Sequence, residues 1–169
     1  LTQHTYFNLN SLRSNILDHE LYLNADKYTI ADETLIPTGE LTDVSNTPLD
    51  FRNPRKIGEQ IEQLDPGYDH NYVLNKEDKG SLSLAARVSE PLTGRKMEMY
   101  TTEPGVQLYS GNFLDGSFTN AGGEILNKHY GFCLEAQHYP DSPNKPQFPS
   151  VILKPGEKYY QLTVYKFLV

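Results

Sequence analysis

The chain has 169 residues, of which 37% are hydrophobic and 22% charged, and its formal net charge at pH 7 is −7. This length allows one domain with a sizeable core, and the composition excludes an intrinsically disordered chain. The acidic balance argues against nucleic acid as a partner, and no apolar run approaches the roughly 20 residues that a membrane span requires.

Along most of the chain, apolar residues recur with a period of two, which is typical of β-strands. Residues 19–30 and 158–169 are rich in Tyr and β-branched side chains, and residues 81–102 predict a hairpin whose turn lies at 89–94. The one helical pattern is short, at residues 54–64, and it contains Gly58. Many short strands with at most one short helix predict an all-β fold of antiparallel sheets, as a sandwich or barrel.

Polar side chains interrupt four of these strand-like stretches. They are His4, Asp69, Gln107 and Glu135. Each alone has an ordinary structural explanation, as a paired buried group or a turn cap. Glu135 is the hardest to explain in this way, because carboxylates are rarely buried without a partner. Together the four predict one sheet with a polar face suited to a carbohydrate and an apolar back.

Two other kinds of site compete for the same region. A metal could be held by His129, Glu135, His138 and Asp141, but Glu135 and His138 are three residues apart and would leave a strand on opposite faces. A nucleophilic Cys133 is disfavoured because the nearby Glu135 carboxylate raises a thiol pKa. Since Cys133 is the single cysteine, no intrachain disulfide is possible, and a reducing, cytoplasmic compartment is expected.

Five blocks of the sequence, in order, resemble the aldose 1-epimerase (galactose mutarotase) family. They are LTQHTYFNLN (1–10), DETLIPTGE (32–40), GYDHNYVL (67–74), TEPGVQLYSGNFLDG (102–116) and GFCLEAQHYPDSPNKPQFPSVILKPGEKY (131–159). The resemblance implies a β-supersandwich that interconverts the α and β anomers of free hexoses such as galactose and glucose, with no metal and no cofactor.

The resemblance also implies a role for each site residue. His4 matches the general acid and Glu135 the general base. The residues that match sugar contacts are Thr5, Tyr6, Asp69 and Gln107. Family members begin upstream of the first block, so we expect residues 1–169 to be the C-terminal part of a single domain. Its N-terminal strands would then be missing, or supplied by a separate segment or chain.

Three alternatives remain. A non-catalytic carbohydrate-binding or sugar-sensing protein would have no use for both His4 and Glu135. A hexose-phosphate 1-epimerase would require a basic pocket, and no Lys or Arg group lies near the four polar stretches in sequence. The segment could also end a bifunctional chain, and the sequence leaves this open.

The chemistry explains why an imidazole and a carboxylate are required. Ring opening removes a proton from the anomeric hydroxyl while another arrives at the ring oxygen, so an acid and a base act together. We expect the two groups on opposite sides of the hemiacetal, separated by the width of one sugar ring. The apolar neighbours Phe132, Leu134 and Ala136 are expected to raise the pKa of Glu135 and so to strengthen the base.

Overall fold

The computed structural model describes residues 1–169 and folds them into two five-stranded antiparallel β-sheets. The strands are β1 (Glu20–Leu23), β2 (Ala25–Ala31), β3 (Pro37–Asp43), β4 (Arg55–Lys56), β5 (Asp69–Leu74), β6 (Ser83–Ser89), β7 (Lys96–Thr101), β8 (Gly105–Tyr109), β9 (Cys133–Gln137) and β10 (Thr163–Leu168). The first sheet has the order β10-β7-β6-β1-β4 and the second β3-β2-β5-β8-β9. The all-β prediction is confirmed.

Helical structure is limited to three short 3-10 turns. They are Ile57–Glu59, Ile61–Gln63 and Ser142–Asn144. None of these turns has the length or the apolar character needed to cross a bilayer.

The two sheets share one apolar core of 23 buried residues. The first sheet contributes side chains such as Leu21 and Met97, and the second contributes Tyr72, Leu108 and Leu134. Burying one large apolar side chain stabilises a fold by about 1.5–3 kcal/mol. The shared core therefore holds the sheets together and leaves the other face of the second sheet free for polar side chains.

The predicted hairpin at residues 81–102 is confirmed, with one local difference. β6 pairs with β7 from Ser83 to Ser89, but the register shifts between Leu84 and Ala86. This bulge buries both Ala85 and Ala86, and Leu82 is 47% exposed. The alternation drawn from the sequence is therefore interrupted at the start of β6, because a bulge adds one residue to one strand.

Residues 19–30 form two strands in different sheets rather than one continuous run. β1 pairs with β6 and β4, whereas β2 pairs with β3 and β5. The chain passes from one sheet to the other at Asn24, whose N–H donates to the carbonyl of Ala85 at 2.9 Å. At the C-terminal end, only Thr163–Leu168 of the β-rich residues 158–169 forms a strand.

The helix predicted at residues 54–64 is replaced by the short strand β4 and two 3-10 turns. Ile57 and Ile61 are buried, as their spacing predicts. The backbone N–H of Gly58, however, donates to the carbonyl of Leu17 at 2.8 Å. This long-range bond replaces the i to i−4 bond that an α-helix would require at that position.

The N-terminal residues lie beside β9. Phe7 and Phe132 exchange two backbone hydrogen bonds, at 2.8 and 3.0 Å, and the Gln3 side chain donates to the carbonyl of Leu134 at 2.8 Å. This contact covers the outer edge of β9. It also brings His4 next to Glu135, although the two are far apart in sequence.

Candidate active site

The strand register places the polar residues of β5, β8 and β9 on one face. Asn71 lies opposite Gln107, and Gln107 lies opposite Glu135. Directly opposed residues of antiparallel strands point to the same side of the sheet. Asp69, two residues before Asn71, shares that side. The polar face that the two-residue period predicts is therefore present in the structure.

Hydrogen bonds fix the orientation of Gln107 on this face. Its side-chain amide donates to Asp69 Oδ1 at 2.8 Å, and its carbonyl accepts from Gln137 Nε2 at 3.2 Å. Gln137 Nε2 also lies 3.3 Å from the side-chain carbonyl of Asn71. The network orders four side chains and leaves the second oxygen of the Asp69 carboxylate available to a ligand.

His4 and Glu135 form an imidazole–carboxylate pair. His4 Nε2 lies 3.5 Å from Glu135 Oε1, and the side chains are 52% and 9% exposed, respectively. Burial raises the pKa of Glu135, the Asp69 carboxylate raises it further, and the His4 imidazole opposes the shift. The predicted direction of the shift is confirmed. The predicted cause is wrong, because Phe132, Leu134 and Ala136 belong to the apolar core and not to the polar face that carries Glu135.

The separation expected between His4 and Glu135 is wrong. At 3.5 Å, the His4 and Glu135 atoms lie side by side rather than across the width of a sugar ring. Both of the reacting oxygens of a pyranose, the anomeric hydroxyl and the ring oxygen, are bonded to C1. Neighbouring groups on one side of the hemiacetal can therefore reach both oxygens.

Two tyrosines surround the imidazole. The ring centroid of His4 lies 5.1 Å from that of Tyr6 and 5.8 Å from that of Tyr109, and the tyrosines are 6.1 Å apart. Burial, with the neighbouring acidic groups of Cys133, Tyr109 and Glu135, raises the pKa of Tyr6 to about 12. Its hydroxyl therefore stays protonated and can donate to a ligand. Tyr109 is not among the residues predicted for the site, although its alternation with Gln107 places it on the same face.

A cavity of about 310 Å³ opens at the pair. Its lining residues are His4, Ala31, Leu35, Asp69, Gln107, Glu135, Gln137 and Pro140. Small-ligand pockets begin at about 300 Å³, so this volume suits a single small molecule. No Lys or Arg lines the cavity.

The two remaining predicted residues lie outside this cavity. Tyr6 lines a neighbouring cavity of about 690 Å³ with Phe7 and Leu12. Thr5 is exposed, and its backbone N–H donates to Gln3 Oε1 at 2.7 Å. The structure therefore brings four of the six predicted residues together, sets Tyr6 beside His4 and places Thr5 away from the cavity.

The metal set considered from the sequence is not assembled. His129 Nδ1 bonds to the carbonyl of Ser110 at 2.7 Å, and His138 pairs with Glu103 at 2.6 Å. A different group has its ligand atoms within 4.8 Å of one another, and it consists of His4, Cys133 and Glu135.

Cys133 is buried, with its Sγ 3.4 Å from His4 Nδ1. Burial raises the pKa of the Cys133 thiol, and the carboxylates of Glu135 and Asp69 raise it further. A thiol held in its protonated form is a poor nucleophile, because the thiolate is the reactive species. The structure therefore offers no support for a nucleophilic Cys133.

The all-β scaffold carries an imidazole–carboxylate pair in a small polar cavity, an arrangement suited to acid–base chemistry. The sequence profile of the aldose 1-epimerase family matches residues 1–166. The chain belongs to the aldose 1-epimerase family.

Known relatives agree in sequence and in structure. The chain is 49% identical over 173 residues to galactose mutarotase of Homo sapiens, and 38% identical over 175 residues to aldose 1-epimerase of Escherichia coli K12. The alignments cover 100% and 99% of this chain. An aldose epimerase homologue from C. elegans superposes with a TM-score of 0.84 at 27% identity, covering 99% of this chain and 50% of that one.

The chain spans about half the length of the curated relatives it matches, at 49% of the human protein and 50% of the Escherichia coli protein. The relatives are therefore about twice as long as this chain.

Proposed function

We propose that the protein containing this chain is an aldose 1-epimerase that interconverts the α and β anomers of free hexoses such as galactose and glucose. The observation that carries the proposal is the contact between His4 Nε2 and Glu135 Oε1, 3.5 Å apart, in a cavity that Asp69 and Gln107 also line. Relatives named galactose mutarotase and aldose 1-epimerase support it.

In the proposed reaction, the Glu135 carboxylate removes the proton of the anomeric hydroxyl. The His4 imidazolium donates a proton to the ring oxygen as the bond between C1 and that oxygen breaks. The product is the open-chain aldehyde, and rotation about the C1–C2 bond presents its other face. In ring closure, the hydroxyl that re-forms the ring returns its proton to His4, and the protonated Glu135 returns a proton to the oxygen on C1. Acid and base catalysis each contribute about a hundred- to ten-thousandfold to such a step.

The buried position of Glu135 suits it to the role of base. A carboxylate in water has a pKa of about 4.3, and it is a weak base toward a sugar hydroxyl. Burial in the cavity raises the pKa of Glu135 and so brings its proton affinity closer to that of the sugar hydroxyl. His4 is 52% exposed, so its imidazole is open to the cavity and to solvent.

Asp69 and Gln107 are proposed to hold the sugar hydroxyls. Their mutual hydrogen bond at 2.8 Å fixes both side chains before the sugar binds, which lowers the entropy lost on binding. Tyr6 adds an aromatic surface beside His4. The role of Thr5 as a sugar contact stays a prediction, and the geometry gives it no support.

The alternatives have less support. A hexose-phosphate 1-epimerase would need cations for the phosphate, and no Lys or Arg lines the cavity. A carbohydrate-binding or sugar-sensing protein would not require Glu135 to be buried beside an imidazole, where its burial costs free energy.

We further propose that residues 1–169 are the C-terminal part of one aldose 1-epimerase domain, whose other strands lie outside this chain. The length of the relatives supports this, and so does exposed apolar surface at Ile152 and Tyr160, each 73% exposed. A cytoplasmic location is proposed on the single free cysteine.

The experiment compares Glu135→Gln with Glu103→Gln in the full-length protein. Both residues are buried glutamates paired with a histidine, but only Glu135 lines the cavity. Polarimetry follows the conversion of α-galactose to its equilibrium mixture, and calorimetry measures galactose binding. We expect Glu135→Gln to lower the rate by about a hundred- to ten-thousandfold while galactose still binds. The Glu103→Gln rate should stay near that of the wild type.

A near-normal rate for Glu135→Gln would remove this residue from the mechanism. A wild-type protein that binds galactose without accelerating anomer exchange would instead support a carbohydrate-binding function. A preference for glucose 6-phosphate over glucose would support the hexose-phosphate 1-epimerase.

A further inference from the structure

We propose that His4, Cys133 and Glu135 form a binding site for one zinc ion, and that zinc bound there blocks the site. The three residues place an imidazole nitrogen, a thiol and a carboxylate oxygen within 4.8 Å of one another. This is an inhibitory site and not a cofactor site, since the proposed proton transfers need no metal.

The spacing of the donor atoms suits a tetrahedral ion. Zinc binds nitrogen and oxygen at about 2.0–2.2 Å and sulfur at about 2.3 Å, so neighbouring ligand atoms lie roughly 3.5 Å apart. His4 Nδ1 lies 3.4 Å from Cys133 Sγ. The Glu135 carboxylate faces the other ring nitrogen, Nε2, at 3.5 Å, so the imidazole or the carboxylate must turn before one nitrogen can share an ion with both partners. One ligand atom from each of the three residues already lies within 4.8 Å of the others. A fourth position remains open to water.

The donor types select the class of metal. Thiolate and imidazole are ligands of zinc and related transition metals, whereas magnesium and calcium prefer oxygen ligands. The surrounding charge also favours a cation, because Asp69 acts on both Glu135 and Cys133 and no Lys or Arg lines the cavity. The half-exposed imidazole gives an ion access to the buried thiol.

Binding replaces one proton with one ion. The thiol of Cys133 loses its proton to solvent, and its sulfur then bonds to zinc. The ion occupies the lone pairs of the carboxylate and of one imidazole nitrogen. Inhibition of anomer exchange follows from the proposed function of these groups, whereas zinc binding itself does not depend on that function.

The test titrates zinc into the full-length protein, using calorimetry or competition with a chromogenic zinc indicator. Cys133→Ser removes the thiol, and His138→Gln is the matched control, because His138 also contacts a buried glutamate but has no thiol partner. Loss of an outer-shell partner alone weakens metal binding by about 10- to 100-fold. We therefore expect one zinc per chain and at least about tenfold weaker binding in Cys133→Ser. His138→Gln and added magnesium should leave zinc binding unchanged.

Cobalt gives a second measurement on the wild-type protein, in case Cys133→Ser fails to fold. Ligation by a thiolate produces a near-ultraviolet charge-transfer absorption in the cobalt-loaded protein. Absence of that absorption, or unchanged zinc affinity in a folded Cys133→Ser, would overturn the proposal. Inhibition is compared with the zinc-free rate of each variant. A protein that binds zinc but has no epimerase activity would refute the proposed function and leave the metal site standing.

Discussion

Asp69 and Glu135 are two carboxylates on one face of the second sheet, with different surroundings. Glu135 is buried and contacts an imidazole, and burial raises its pKa. Asp69 is half-buried and accepts a hydrogen bond from Gln107 at 2.8 Å. One carboxylate is thus suited to take up a proton, and the other to hold a hydroxyl group of a ligand.

Asp69 is positioned to anchor a sugar hydroxyl beside Gln107. Asp69→Ala removes the acceptor for Gln107 and for a sugar hydroxyl, and a hydrogen bond to a charged group contributes about 1.5–3 kcal/mol. We expect the half-saturation concentration for galactose to rise by about ten- to a hundredfold, with a smaller change in the maximal rate. Polarimetry over a range of galactose concentrations separates the two quantities.

Asp69→Asn is the control for charge, because it keeps the size of the side chain and can still accept a hydrogen bond. If the anchoring role is correct, Asp69→Asn should bind galactose better than Asp69→Ala. An unchanged half-saturation concentration in Asp69→Ala would argue against the role.

At the scale of single residues, much of the candidate site could be predicted. Alternation fixes which side chains share a face within one strand, so the grouping of Gln107 with Tyr109, and of Glu135 with Gln137, follows from local sequence. The position of His4 does not, because residues 1–6 lie outside any strand and reach β9 only through tertiary contacts. The resemblance, not the periodicity, implies the roles of acid and base that are proposed for His4 and Glu135.

Among the elements, residues 54–64 show how a tertiary contact overrides a local pattern. The spacing of Ile57 and Ile61 suits an α-helix, but the chain forms two 3-10 turns. A Cβ at Gly58 would lie 2.8 Å from Leu17 Cβ and 3.1 Å from the Leu17 carbonyl oxygen. Glycine at this position permits the close approach of two backbone segments, which local spacing does not reveal.

The effect of Gly58→Ala on stability should have opposite signs in an α-helix and in the observed 3-10 turn. In an α-helix the substitution would stabilise the protein by up to about 1 kcal/mol. In the observed turn it forces the backbone away from Leu17, and overpacking of this kind destabilises by about 1–3 kcal/mol. We expect destabilisation, measured as a lower midpoint of urea unfolding. A higher midpoint would contradict the turn.

The interior of the whole molecule encloses polar groups as well as apolar side chains. His19 is fully buried, and its Nε2 accepts a hydrogen bond from the backbone N–H of Leu9 at 3.0 Å. Burial lowers its pKa to about 4, although Glu90 and Asp18 oppose the shift. Protonation would place a second hydrogen against the Leu9 N–H. The folded protein therefore holds this imidazole neutral.

A pH dependence of stability follows from His19. An unfolded histidine has a pKa of about 6.5, so the unfolded chain binds more protons than the folded one between that value and about 4. The contribution of His19 to the free energy of unfolding is fully present above pH 6.5. It is lost as the pH is lowered toward 4, which reduces stability by about 3 kcal/mol. We expect the urea midpoint of the full-length protein to fall across this window.

His19→Gln keeps an acceptor for Leu9 but cannot titrate. Its urea midpoint should change less between pH 7 and 4 than that of the wild type, even if the variant is less stable at neutral pH. Equal pH dependence in the two proteins would show that His19 does not titrate in this way.

The sequence by itself determined the fold class and the faces of the central strands, because a period of two is a local property of extended backbone. The order of blocks determined the family resemblance. Only the tertiary structure decided that β1 and β2 belong to different sheets. It also decided that His4 and Glu135 lie 3.5 Å apart on one side of a cavity. Pairing and packing between segments distant in sequence set these features, and a local sequence pattern does not predict such contacts.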